Sequence, residues 1–204
     1  MDIDDTYRTV SGFAKGIYKD KGSKFIGLVY PAGSEEEVKE ILAGLRKEYW
    51  DANHHCYAYR IGTEASASRM NDDGEPSGSA GKPIYGQILS KGLTNVLVVV
   101  IRYFGGTKLG IPGLVKAYKT TAKEALESAS FLTGTISRKF ELSFDYSVMN
   151  EVMRILKEEN VEYNSRDLGN TCRIIFSVRR NRIDSLKGKL ISLPEQEKFS
   201  LKNS

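Results

Sequence analysis

The chain has 204 residues, enough for one large domain or two small ones with a buried core. Its 30 basic and 26 acidic residues leave a net charge of +4, which excludes a histone-like basic surface and requires any nucleic-acid patch to be local. No stretch is apolar enough to span a bilayer, the acidic start Met1-Asp-Ile-Asp-Asp5 does not read as a signal peptide, and only Cys56 and Cys172 are cysteines. A disulfide framework is not expected, and a reducing cytoplasm is the simplest compartment.

In chain order, Thr9-Val10, Phe13 to Tyr18 and Lys24 to Tyr30 are apolar runs punctuated by Gly12 and Lys19-Asp-Lys-Gly22, which predicts an antiparallel meander. Ser34, with Glu37 three residues on, is a capping box ahead of Val38, Ile41, Leu42, Leu45 and Tyr49, predicting a helix over about 34–50. His55 to Ile61 and Ala65 to Met70 read as strands. A first glycine-rich loop, Asn71 to Pro83, follows. It leads into a helix with Ser79 as N-cap, Pro83 at an early position, and Ile84, Ile88 and Leu89 toward the core. Val96-Leu-Val-Val-Val-Ile101 is a continuous apolar run, β-branched except at Leu97, that predicts a central strand covered on both faces.

A second glycine-rich loop, Arg102 to Gly113, opens another helix through Pro112. There Leu114, Val115, Tyr118, Ala122, Ala125, Leu126 and Ala129 form an apolar stripe. Lys116, Lys119 and Lys123 share a different face. With Arg102 and Lys108 they make up to five positive charges leading to Gly105, Gly106 and Gly110, a candidate nucleic-acid or anion site where helix N–H groups would meet phosphate. The first loop offers Asp72, Asp73, Glu75, Ser79, Gly81 and Lys82 as further candidates. Turn and packing duty explains both glycine sets equally well, and an ordinary solvated helix face accounts for Lys116, Lys119 and Lys123.

After Thr133 a second unit begins. Ile136 to Tyr146 alternates as a strand, and Ser147 caps a helix through Met149, Val152, Met153 and Leu156. Two strands then turn at Gly169-Asn170. Asn181 caps a helix with Ile183, Leu186 and Leu190, and Pro194 precedes a last strand through Phe199 and Leu201. The order β-α-β-β-α-β is the ferredoxin-like arrangement. We therefore expect an α+β protein of two closely packed domains, 1–133 and 134–204.

Neither loop is a P-loop or a dinucleotide fingerprint, so no nucleotide cofactor is indicated. Asp72, Asp73 and Glu75 could hold Mg²⁺ in a phosphate-processing enzyme, but Asp-Gly turn chemistry accounts for them as well. His54 and His55 fall on opposite faces of a strand and have no second ligand set, which argues against zinc; nothing favours Ser77 or Ser79 as a nucleophile. No catalytic residue and no metal is assigned.

Asp72-Asp-Gly-Glu-Pro-Ser-Gly-Ser-Ala-Gly-Lys-Pro83, Arg102-Tyr-Phe-Gly-Gly-Thr-Lys-Leu-Gly110 with Gly113-Leu-Val-Lys-Ala-Tyr118, and His54-His-Cys-Tyr-Ala-Tyr59 together resemble the signature of the Impact family, in its bacterial YigZ-like branch. Ser79 stands where the motif usually has Thr, and Ile111-Pro112 replaces a smaller, more flexible pair. The resemblance implies an N-terminal domain like the second domain of ribosomal protein S5 and a C-terminal domain like the last domain of translation elongation factor G. It also implies a translation-associated regulator. Bacterial members suggest RNA or the ribosome as the partner, and eukaryotic members suggest a protein partner.

Overall fold

The structure is a computed structural model and describes residues 5–63, 66–168, 171–192 and 199–203. The protein is α+β, and it divides into a unit spanning Tyr7–Gly134 and a second unit from Thr135 onward to which Asp5 and Thr6 also belong. No described helix is long and apolar enough to cross a membrane.

In the first unit β1 (Thr6–Val10) is followed by β2 (Ala14–Asp20), β3 (Ser23–Pro31), α1 (Glu35–Glu48), β4 (His54–Ile61), β5 (Ala67–Asn71), α2 (Gly81–Ser90), β6 (Val96–Tyr103), α3 (Gly110–Glu127) and β7 (Phe131–Thr135). Five strands form one antiparallel sheet in the order β2-β3-β6-β4-β5. The apolar run Val96 to Ile101 is thus central, and its alternation feeds two cores. Val96, Val98 and Val100 face α2 and α3, whereas Leu97, Val99 and Ile101 face α1. Every residue from Val96 to Ile101 is fully buried, each such side chain being worth about 1.5–3 kcal/mol on removal from water.

α1 begins where the capping box places it: Ser34 Oγ accepts from the Glu37 N–H at 3.2 Å. The return arm reaches one residue further than expected, Glu37 Oε2 accepting from the Gly33 N–H at 2.7 Å. Leu89, expected in the core, is 48% exposed, because the buried stripe of α2 runs through Ile84, Gln87 and Ile88. The expected three-strand meander is a two-strand hairpin. β1 leaves it to pair with β7, where Val10 enters the core, Arg8 lies over the Phe131 ring at 4.3 Å and Gly134 makes room for the Tyr7 ring.

α3 lies very close to this hairpin. Gly16 and Gly27 are cross-strand partners, and a Cβ on Gly16 would sit 2.6 Å from the Ala125 backbone nitrogen, one on Gly27 2.8 Å from the Thr121 carbonyl oxygen. Only a side-chain-free pair permits that approach.

The second unit runs β8 (Ser137–Asp145), α4 (Met149–Glu158), β9 (Glu162–Leu168), β10 (Thr171–Arg179), α5 (Ile183–Ile191) and β11 (Phe199–Asn203), with sheet order β11-β8-β10-β9. Phe140, Leu142, Phe144, Ile174, Phe176 and Val178 face the buried sides of α4 and α5. Two expected caps are replaced. Asp145, not Ser147, caps the first turn, accepting from the Ser147 N–H at 2.9 Å, and a short 3₁₀ turn at Arg180–Arg182 takes the place of an Asn181 cap. The expected Gly169-Asn170 turn, Pro194 and the start of the strand expected from Ala65 lie outside the described residues.

Gly16→Ala or Gly27→Ala should destabilise the protein by about 1–3 kcal/mol through overpacking, whereas Gly44→Ala, at an open position within α1, should stabilise it by about 0.5–1 kcal/mol. Urea denaturation of the three variants checks both signs.

Candidate functional site

The two glycine-rich loops lead to one buried polar cluster. The first connects β5 to α2 and turns sharply at Asp73 and Gly74, both with positive φ (42° and 87°). That turn sends its three acids in three directions. Asp72 caps α2 from a distance, Oδ1 accepting from the Ala80 and Gly81 N–H groups at 3.0 and 2.8 Å and Oδ2 from the Gly78 N–H at 2.8 Å. Ser79, expected as the cap, instead donates to the Pro76 carbonyl at 2.6 Å. The N-terminus of α2 is therefore filled by the chain's own carboxylate. Burial raises the Asp72 pKa, but the three N–H donors more than offset this and hold it below its ordinary value.

Asp73 accepts from the His55 backbone N–H at 2.6 Å and from Arg46 at 3.0 Å. Its carbonyl lies 2.8 Å from His54 Nδ1, which must carry the proton there and turns Nε2 toward Glu75, 3.8 Å away. His55 is buried with its Nε2 unpartnered, and its pKa is lowered, chiefly by burial.

Glu75 occupies the centre of the cluster. Its Oε1 accepts from Arg102 Nη1 at 2.5 Å and from the Tyr118 hydroxyl at 2.7 Å, and its side chain is 3% exposed. Cys56 Sγ lies 3.3 Å from the Tyr118 oxygen and 3.0 Å from the Asp72 carbonyl. Burial pushes the Cys56 thiol and the Tyr118 hydroxyl well above their ordinary pKa values, so both stay protonated. The sheet's register explains the convergence: His54 and Phe25 flank Arg102 across β6, and Arg102 continues the side of the strand that faces α3.

This corrects the expected basic ridge. Arg102 is 5% exposed and neutralised by Glu75, so it belongs to the interior. Lys123 is tied to Glu127 at 3.8 Å. Lys108, Lys116 and Lys119 are exposed, and among the described residues none has an ion-pair partner. Lys108 precedes α3, whose N-terminus has no side-chain cap, and Lys116 and Lys119 lie along the first half of the helix. Lys82 is exposed in the first turn of α2, while Gly81 packs against the Asn71 backbone. In the second loop Gly106 and Gly110 have positive φ, and Gly105 presses against the Gly22 backbone where any side chain would collide. Among the described residues no three potential ligands converge to hold a metal ion.

Sequence reasoning missed Tyr118, Cys56 and His54 as members of the cluster. The signal present was chemical: a hydroxyl within an otherwise Ala/Leu stripe needs a buried partner, and an acid within a turn can supply it.

The profile of the Impact N-terminal domain matches residues 21–126. The chain is 34% identical to the IMPACT family member YvyE of Bacillus subtilis over 154 residues, covering 70% of this chain and 71% of that protein. It is also 34% identical to YigZ of Escherichia coli, over 67% and 68% of the two chains. A crystal structure described only as that of a hypothetical protein superposes with a TM-score of 0.73 at 25% identity, covering 99% of this chain and 98% of that one.

Two measurements test the cluster. Glu75→Ala should cost about 3–5 kcal/mol, because it strands the Arg102 charge in the interior. Stability should also depend on pH in two windows. The folded His55 pKa lies below 6.5, so the unfolded chain binds more protons just under that value and stability falls as pH drops below it. The folded Asp72 pKa lies below 3.8, so its contribution is present above that value and is lost as pH falls further. Urea melts across pH should show both declines, with His55→Gln flattening the upper one and Asp72→Asn the lower.

Proposed function

The chain belongs to the Impact family, and on that premise we propose that it is a non-catalytic, translation-associated regulator that binds RNA, on the ribosome, through the lysine face at the start of α3. We place it in the cytoplasm. The observation that carries this reading is the set Lys108, Lys116 and Lys119, exposed, without an ion-pair partner among the described residues, and running along α3 from a helix start that no side chain caps. Phosphate oxygens complement both features: the ammonium groups supply charge, and the free N–H groups and the helix dipole favour an anion.

The interior cluster supports a non-catalytic role. Its carboxylate is committed to Arg102 and Tyr118, and its thiol and phenol are held in their unreactive protonated forms. The cluster acts as a clamp that fixes the two loops. We also read the first unit as like the second domain of ribosomal protein S5 and the second as ferredoxin-like, related to the last domain of elongation factor G. The strand order β11-β8-β10-β9 supports the latter reading.

The salt dependence of RNA affinity tests the proposal. Three phosphate contacts predict that log affinity falls against log salt with a slope of about 2 to 3, and Lys108→Glu should flatten it by about one while changing stability by less than about 0.5 kcal/mol. Lys123→Glu should do less, since that lysine is already paired. Salt-independent binding sinks the reading, and a partner that survives nuclease treatment in a pull-down identifies a protein-docking surface instead.

A further inference from the structure

The second unit contains a polar cavity of about 510 Å³, a size within the range of small-molecule sites, at the end of its sheet where β8 starts and β10 finishes. It lies on a different unit from the lysine face. Its lining carries two arginines, Arg179 and Arg182, and two glutamates, Glu159 and Glu162, so its formal charges cancel, with Arg182 and Glu159 ion-paired at 3.6 Å.

The groups are unequally committed. Glu159 is 4% exposed, and its Oε1 takes Lys189 at 2.8 Å and Ser185 at 2.9 Å. Among the described residues its Oε2 has only Arg182, at 3.6 Å, beyond hydrogen-bonding distance. The Lys189 hydrogen bond is the main reason the Glu159 pKa is held below its ordinary value, so the carboxylate is charged at neutral pH. Arg179 and Glu162 are exposed, and among the described residues neither has an ion-pair partner. Ser137 and Ser177 also line the cavity, and among the described residues their hydroxyls make no intramolecular hydrogen bond.

The register separates the charges. Glu162 pairs with Ser177 across β9 and β10, whereas Arg179 pairs with Ser137 across β10 and β8. Glu159, at the C-terminal end of α4, and Arg182, the N-cap of the nine-residue α5, are paired with each other, which leaves Glu162 and Arg179 as the uncommitted charges of the lining. A simple phosphate would meet two carboxylates here, and a polyamine would meet two guanidinium groups. A compact ligand bearing one charge of each sign satisfies both ends.

We propose that this cavity binds a free α-amino acid, its carboxylate at Arg179 and its ammonium group at Glu162. Ser137, opposite Arg179 in the register, bonds the same carboxylate, and Ser177, opposite Glu162, accepts from the ammonium group.

The test is calorimetric titration of the full chain with L-α-amino acids offered singly at about 10 mM, with acetate and methylammonium as single-charge probes. At least one amino acid should give saturable heat where neither single-charge probe does. Arg179→Gln and Glu162→Gln should each weaken that binding by about tenfold or more. Both side chains are exposed and unpaired, so the variants should retain the parent's thermal midpoint without ligand. The proposal is overturned if no amino acid gives saturable heat, if acetate or methylammonium binds as well as the amino acid, or if both folded variants bind it like the parent.

Discussion

The ion pair between Glu75 and Arg102 is the constraint on which the first unit turns. Removing two charges from water is expensive, and the arrangement is tolerable only because Tyr118 supplies a further hydrogen bond and the pair lies where loop, strand and helix meet. A hydrophobic pair could fill the same volume. It could not dictate which loop residue turns inward, whereas an unpaired guanidinium at that depth admits one solution. The same contact takes Arg102 from the surface and leaves Lys108, Lys116 and Lys119 as exposed charges beyond it.

A second constraint is proximity. The side-chain-free pair in the β2–β3 hairpin, with Thr121 and Ala125 facing it, lets α3 settle almost onto the sheet backbone. The helix cannot rise or roll without losing that fit, so the exposed lysines on its far side are presented from a rigid support. Rigid presentation lowers the ordering cost of binding a polyanion.

Much of the fold was legible because period and punctuation agreed. The apolar run gave a central strand, Ser34 and Glu37 marked a helix start, and the alternation after Gly134 gave the second unit's strands. The errors have physical causes. β1 was misassigned because an apolar dipeptide carries no information about which edge it will pair with. Ser79 has the right chemistry for a cap, but Asp72, arriving from eight residues earlier, offers two oxygens and a full charge. Arg102 looked like part of a basic face because it opens the loop that holds Gly105, Gly106 and Lys108; its burial depends on Glu75, 27 positions away. Local pattern identifies elements, while pairings between distant polar residues decide what they expose.

The capping of α2 by Asp72 has a consequence for motion. The amides of Gly78, Ala80 and Gly81 are tied to one carboxylate at the root of the loop, so the loop cannot lift away while the first turn of the helix stays closed. Loop and helix start form a single opening unit, and hydrogen exchange at these amides reports one shared event rather than separate fraying of a terminus and a turn.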